Sequence, residues 1–310
     1  MPDNAPTPAK GEWRLCARLQ LDAEQSQAFV TALRAGASAR HALVLSPLAP
    51  EDYRPPFPCE SAETMPWLPP RVYVPEPGVR PAVCDDYNRG LYYILDLSSC
   101  WESAALSCVA PPHESLDLCA APGGKTMLLC ARYCGALCGE APTMRHIANE
   151  VSPSRRGILR QNLALCGLPQ VDVTGLRPDQ WREHRERFDL LLVDAPCSGQ
   201  SLPARGIANP GCFGPSTVNG NAKRQKGILL AAAGCVKPGG HLLYSTCTYD
   251  PDENEKVMAY LMRRQSEWEA VDVPCLSAFR SRLCDFPAYR LLPMQGMGAG
   301  GFCCLLKKRG

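Results

Sequence analysis

The last two thirds of the chain read as short apolar runs separated by longer amphipathic stretches. The runs fall at 116–120, 146–151, 171–173, 189–193 and 241–245, and apolar positions recur with helical spacing at 126–138, 154–166, 222–235 and 254–264. A strand alternating with a helix predicts βαβ units, and so a mostly parallel, doubly wound α/β sheet with helices on both faces. A last pair of runs, 289–293 and 302–307 across a Gly-rich turn, predicts a terminal hairpin. This domain is expected over residues 111–310. Upstream, 13–19 reads as a strand and 22–35 as a helix with Asp22 as its N-cap, giving a small α+β N-terminal domain over 1–65 whose first ten residues are frayed. Residues 66–110 are expected to be a linker and pre-core segment. The Pro-dense stretch 51–81 should be extended, because proline withholds helix and ladder donors.

Composition narrows the class. The chain has 310 residues, 45% of them hydrophobic and 21% charged, which excludes a disordered polypeptide. Apolar runs such as 190–193 are a handful of residues, far short of the roughly 20 a membrane helix needs. The residues Met1-Pro2-Asp3-Asn4 carry neither a basic nor an apolar leader segment, so a cytoplasmic, monomeric protein is expected. Net charge is +2, divided as −3 over residues 1–100 and +5 over the rest. That excess permits a polyanionic partner without requiring one. The 18 cysteines cannot be a disulfide framework in a reducing compartment, and no Cys-x-x-Cys pair suggests zinc. Cys130, Cys134 and Cys138, spaced four apart, share one helical face and read as core fillers rather than metal ligands.

In such a sheet, ligands bind beyond the carboxyl ends of the strands. The first strand opens into Asp117-Leu118-Cys119-Ala120-Ala121-Pro122-Gly123-Gly124-Lys125-Thr126, where the glycine pair lets the backbone approach a ligand at a helix start. A P-loop would need glycine where Cys119 stands, and Gly-x-Gly-x-x-Gly is absent, so neither a nucleoside triphosphatase nor a dehydrogenase is favoured. The second strand ends at Glu150, an acid placed to accept hydrogen bonds from both hydroxyls of a ribose, although many strand ends carry an acid. The fourth strand opens into Asp194-Ala195-Pro196-Cys197-Ser198-Gly199 and the fifth into Ser245-Thr246-Cys247-Thr248-Tyr249. Two thiols therefore emerge at the ends of what should be adjacent strands, facing the crevice of the glycine loop. A purely structural role fits poorly beside Asp, Ser and Thr.

Together these motifs closely resemble the Nol/Nop/Sun (Fmu-like) RNA cytosine-5 methyltransferases. The likeness extends to Gly90-Leu91-Tyr92-Tyr93-Ile94 with Ser98-Ser99, Arg224-Gln225, Lys237-Pro238-Gly239-Gly240, Asp252-Glu253-Asn254-Glu255, Arg290-Leu291-Leu292-Pro293 and Gly301-Phe302, over about residues 66–308. The resemblance implies a Rossmann-like class I methyltransferase domain, S-adenosylmethionine as cofactor, and RNA as substrate. Cytosine C5 is a poor nucleophile until a thiolate adds at C6. By resemblance, Cys247 is that thiol, Cys197 resolves the adduct, Asp194 contacts the base, and Lys125 supports adduct formation and lowers the thiol pKa. Cofactor contacts map onto Cys119, Ala120, Ala121, Pro122, Gly123, Gly124 and Lys125, and onto Glu150, Arg155 and Asp194. No metal is implied.

The sequence departs from the family at the third strand, where many relatives place an adenine-contacting acid and this chain has Arg177-Pro178. Asp179 substitutes only if the loop shifts by two residues. Residues 200–221, rich in Gly, Pro and Asn, are read either as a flexible basic wall for RNA with Arg205, Lys223, Arg224 and Lys226, or as a solvated loop. Met65-Pro66-Trp67 followed by Tyr73-Val74 fits the linker after the small domain of the bacterial ribosomal-RNA branch, and no C-terminal RNA-binding extension is expected. Ribosomal RNA is the expected substrate, with transfer RNA as the alternative. A non-catalytic ribosome-assembly factor is a third reading, disfavoured because both cysteines, Asp194 and Lys125 are present.

Overall fold

The computed structural model describes residues 10–135 and 143–310. Two helices come first, α1 (Lys10–Arg18) and α2 (Ala23–Ala35), and then strand β1 (His41–Leu45). Residues 13–19, expected as a strand, therefore lie mostly in a helix. The alternation of Trp13, Leu15, Ala17 and Leu19 mimics a strand, but the buried positions are Leu15, Cys16 and Leu19, a helical spacing, and Trp13 stays exposed. Helix α2 begins as expected at Asp22, whose carboxylate accepts from the Gln25 N–H in a reciprocal capping box.

Strand β1 is the centre of a three-stranded antiparallel sheet, flanked by β2 (Val72–Tyr73) and β3 (Tyr92–Asp96). Both partners come from residues 66–110, so the boundary expected at 65 is crossed by this sheet. The high proline content of 51–81 disguised the short β2, and the chain returns a second time to pair β3 with β1. A one-turn helix α3 (Asp85–Asn88) leads into β3, and α4 (Leu97–Ser103) follows it, capped by Asp96. Gly90, at φ +72°, seats this layer against the larger, C-terminal part of the chain: a Cβ there would stand 1.9 Å from the Leu165 carbonyl oxygen.

The main sheet comprises β4 (Glu114–Asp117), β5 (Arg145–Asn149), β6 (Asp172–Thr174), β7 (Phe188–Asp194), β8 (Val236–Thr246), β9 (Trp268–Ala270), β10 (Tyr289–Leu291) and β11 (Gly301–Lys308). Its order is β10-β11-β8-β7-β4-β5-β6, with β9 also paired to β11. The run from β8 to β6 is parallel, and β11 lies antiparallel between β8 and the edge strand β10. This is the predicted doubly wound sheet with its terminal hairpin. Helices α5 (Gly124–Arg132), α6 (Pro153–Leu165), α7 (Pro215–Ala232) and α8 (Glu255–Arg264) make the crossovers and cover. Cys138, the third member of the four-spaced series, lies outside the described residues, as do residues 1–9, which were expected to be frayed.

Residues 200–221 are more ordered than their composition suggests. Pro215 starts α7 at its first turn, where a missing N–H costs nothing. The preceding loop packs under the N-terminal helices: Ala204 and Tyr249 share a core with Leu15, Phe29, Val30 and Leu33. Phe29 meets Tyr249 edge to face at 5.2 Å between ring centroids. The small domain thus buttresses the loops that leave Cys197 and Cys247.

Candidate active site

Strands β4, β5, β7 and β8 end at one rim, and the loops beyond them enclose a cleft of about 1100 Å³. Its walls include Cys119 to Pro122, Gly124, Lys125, Glu150, Arg155, Asp194, Cys197 and Cys247. All the residues expected to bind cofactor or act on substrate therefore meet in one hollow, except Gly123, which stands just behind it. Gly123 holds φ +124°, a conformation side chains rarely adopt, and turns the loop into α5.

One half of the cleft is built from backbone. The Ala120 N–H donates to the Asn149 carbonyl at 2.9 Å, tying the loop to the end of β5. Arg155 donates to the Ala121 carbonyl at 2.5 Å, and the Asn162 amide donates to that of Pro122 at 2.8 Å. Glu150 is held by the Ser152 N–H at 2.8 Å and by Arg155 at 3.1 Å. A glycine turn at a helix start beside a fixed carboxylate suits a nucleoside with a free ribose. Asp179 does not join them. Its side chain is exposed and pairs with Arg177 at 3.3 Å, and Pro178 is the residue of that loop that lines the cleft.

The other half is built from charged and sulfur side chains. The sulfurs of Cys197 and Cys247 lie 3.3 Å apart. The parallel pairing of β7 with β8 through Asp194 and Ser245 brings the two loops side by side. The hydrogen bond from Cys197 draws the Cys247 thiol below its ordinary range, helped by Lys125 and Ser201, while burial and Asp194 oppose it. Cys197 is pushed up by the same bond and by burial. Cys247 is thus the thiol poised to ionise, with Cys197 as its donor. Asp194 Oδ1 accepts from the Ser245 hydroxyl at 2.8 Å, and its Oδ2 stands 3.6 Å from Lys125 Nζ. Burial would push the lysine down, but Asp194 and Glu102 outweigh it and hold the ammonium charged.

Two buried acids had no role in the sequence reading. Glu253 accepts from the Ser198 N–H at 2.9 Å, the Ser198 hydroxyl at 2.5 Å and the Gln225 amide at 3.0 Å, locking the Cys197 loop against the one after β8. Asn254 does the same for Cys247, bonded to Thr246 at 2.6 Å and to the Thr248 carbonyl at 2.9 Å. Glu102 accepts a hydrogen bond from Lys125. Its signal in the sequence was a lone acid within an uncharged stretch, 97–108. The expected basic wall divides. Arg205 and Arg224 line the cleft, whereas Lys223 and Lys226 border a separate hollow with Lys256 and Tyr260.

Known proteins resemble the chain in sequence and in fold. Ribosomal RNA small subunit methyltransferase F of Klebsiella pneumoniae (strain 342) is 35% identical over 181 residues, covering 58% of this chain and 36% of that protein. Its namesake from Shewanella amazonensis is 32% identical over 213 residues, covering 66% and 43%. The chain therefore spans less than half the length of these relatives. In fold, a methyltransferase homolog protein from Pyrococcus horikoshii superposes with a TM-score of 0.73 over 97% of this chain and 100% of its own, at 21% identity. Residues 108–307, which hold the whole parallel sheet and both thiols, match the family described as 16S rRNA methyltransferase RsmB/F, and the chain belongs to that family.

Proposed function

We propose that the chain is an S-adenosylmethionine-dependent RNA methyltransferase that forms 5-methylcytosine in ribosomal RNA, by way of a bond between Cys247 Sγ and C6 of the base. The observation that carries this reading is the thiol pair, 3.3 Å apart at the ends of adjacent strands. Two partly exposed cysteines beside a lysine and an aspartate suit nucleophilic addition to a polarised ring far better than packing. The relatives' shared name, ribosomal RNA small subunit methyltransferase F, supports the substrate class.

The cofactor would be held by the Cys119–Lys125 loop, Glu150 and Arg155, and when bound it supplies an electrophilic methyl group. The protein's own residues do the rest. Cys247, as thiolate, forms the S–C6 bond and pushes electron density toward C5. Asp194 and Lys125 face the base edge and offset the charge that develops there. Once C5 is methylated, its proton must leave; Cys197 assists that loss, the C5–C6 double bond reforms, and the electron pair of the S–C6 bond returns to Cys247. The target base must be unstacked to reach this depth. Arg205 and Arg224 at the cleft wall are placed to take the flanking phosphates. We assign the chemistry to residues 111–310.

The test is methyl transfer from radiolabelled S-adenosylmethionine to fractionated ribosomal and transfer RNA, followed by nucleoside analysis. Label in 5-methylcytosine of ribosomal RNA is expected. Label only in transfer RNA would move the substrate, and cofactor binding without label would make the chain a non-catalytic binder of RNA.

A further inference from the structure

Behind the cleft floor lies a carboxylate that the mechanism above does not use. Glu102 sits on α4 at 3% exposure and does not line the cleft. Its Oε2 accepts from Lys125 Nζ, and the lysine is itself only 6% exposed. Taking both charges out of water costs about as much as their attraction returns, so a buried pair is weak glue and calls for another reason. Asp194, at 3.6 Å, is too far from the ammonium for a hydrogen bond, which leaves Glu102 as its short partner among the described residues. Strand β11 is notched to admit it: a Cβ on Gly301 would come within 2.1 Å of Glu102 Oε1.

We propose that Glu102 is a positioning residue for methyl transfer: it anchors the Lys125 ammonium from behind, between Asp194 and Cys247, and its charge sets how much of the lysine's field reaches the thiol. The proposal rests on the reading of Cys247 as the attacking thiol. The other titratable groups that face these residues are Asp117 at the end of β4, Cys197 after β7, Cys100 on α4 and Cys303 on β11. None is a cation, and burial keeps the thiols of Cys100 and Cys303 neutral while the bond to Cys247, with burial, does so for Cys197. Burial also pushes the Asp117 carboxyl up to about 7, so Lys125 is the one cation of this set and Glu102 and Asp117 are the acids that share its field. Burial pushes the Glu102 carboxyl up to about 8, so its charge changes close to neutral pH. Below that range the protonated acid leaves the lysine's field directed at the thiol; above it, the carboxylate offsets that field.

The test reads the thiol itself. The full chain is alkylated across the neutral-to-alkaline range, and modification of Cys247 is quantified by peptide mass spectrometry. Glu102→Gln keeps an acceptor and removes the charge, so the midpoint of the Cys247 profile should fall by about half a unit, roughly a threefold change in acidity. Glu102→Asp keeps the charge but draws it back, so single-turnover methylation should slow about tenfold while cofactor affinity holds. Wild-type alkylation profiles and methylation rates in both variants, even with lowered thermal stability, would leave Glu102 as a structural acid only and overturn the proposal. Should the Gln variant fail to fold, the Asp variant decides alone. If the wild-type chain methylates no cytosine while Glu102→Gln still shifts the profile, the functional reading fails and takes the methyl-transfer role of Glu102 with it, leaving only its effect on the Cys247 thiol.

Discussion

The strand-end crevice and the sheet core both hold cysteines, and the two sets behave in opposite ways. Cys303 and Cys304 are neighbours on β11, point to opposite faces of the sheet and are fully buried, one in each core. Burial pushes both thiols well up, as it does Cys235, whose sulfur donates to the Trp181 carbonyl. In the crevice, Cys247 is drawn down although burial opposes it, because Cys197 donates to it and Lys125 stands near. The acidity of a thiol here thus depends less on depth than on whether the anion finds a donor and a cation.

The contrast is tested most strongly by removing the donor and the acceptor in turn. Cys247→Ala should abolish methyl transfer and any covalent protein–RNA adduct, whereas Cys197→Ala should stop turnover and leave an adduct that survives denaturing electrophoresis. The reverse pattern would exchange the roles of the two thiols. Lys125→Met is expected to come next, slowing adduct formation by about a hundredfold. The lysine lowers the thiol, so its loss should also move the acid limb of the pH–rate profile upward; a profile that stays in place would mean that the ammonium acts only on the base.

How much of this was readable in the sequence follows from the same contrast. Strand-end motifs are local: Asp194 to Gly199 and Ser245 to Tyr249 carry their polar flanks with them, so both thiols and the glycine loop could be placed before any coordinates. Pairing of β7 with β8 was legible because a βαβ unit leaves few choices. What brings Glu102 beneath Lys125 is not local. It needs α4 to pack under α5 and Gly301 to leave a notch, and no spacing in the sequence encodes that meeting. The strand expected at 13–19 failed for a related reason: a seven-residue pattern cannot choose between period two and a helical face until a partner surface exists, here Phe29 and Tyr249. Proline hid β2, because two-residue pairing at a sheet edge needs few donors.

The half of the cleft proposed above to hold the cofactor extends the lesson, since it too depends on a group held at a strand end. Glu150→Ala should weaken cofactor binding about tenfold, the loss of a charge-assisted bond, measured by calorimetry. Asp179→Ala should leave the dissociation constant unchanged, because that side chain faces solvent and Arg177. A matched loss in both variants would place the adenine against Asp179 after all and require the loop to close over it.

The smallest effect belongs to the core set and bounds the comparison from below. Cys304 packs against Tyr244 and Phe302 on one face of the sheet, and its sulfur donates to the Pro287 carbonyl at 3.3 Å. Cys304→Ala removes one buried sulfur and should cost about 1–2 kcal/mol, a shift of a few degrees in Tm for a chain of this size, with the methylation rate of the folded protein intact. A lost rate at unchanged stability would mean that the sheet beneath the crevice tunes the thiols directly. Rate and stability that separate as described would confine the chemistry to the strand ends, where a cysteine meets water, a donor and a cation within one cleft.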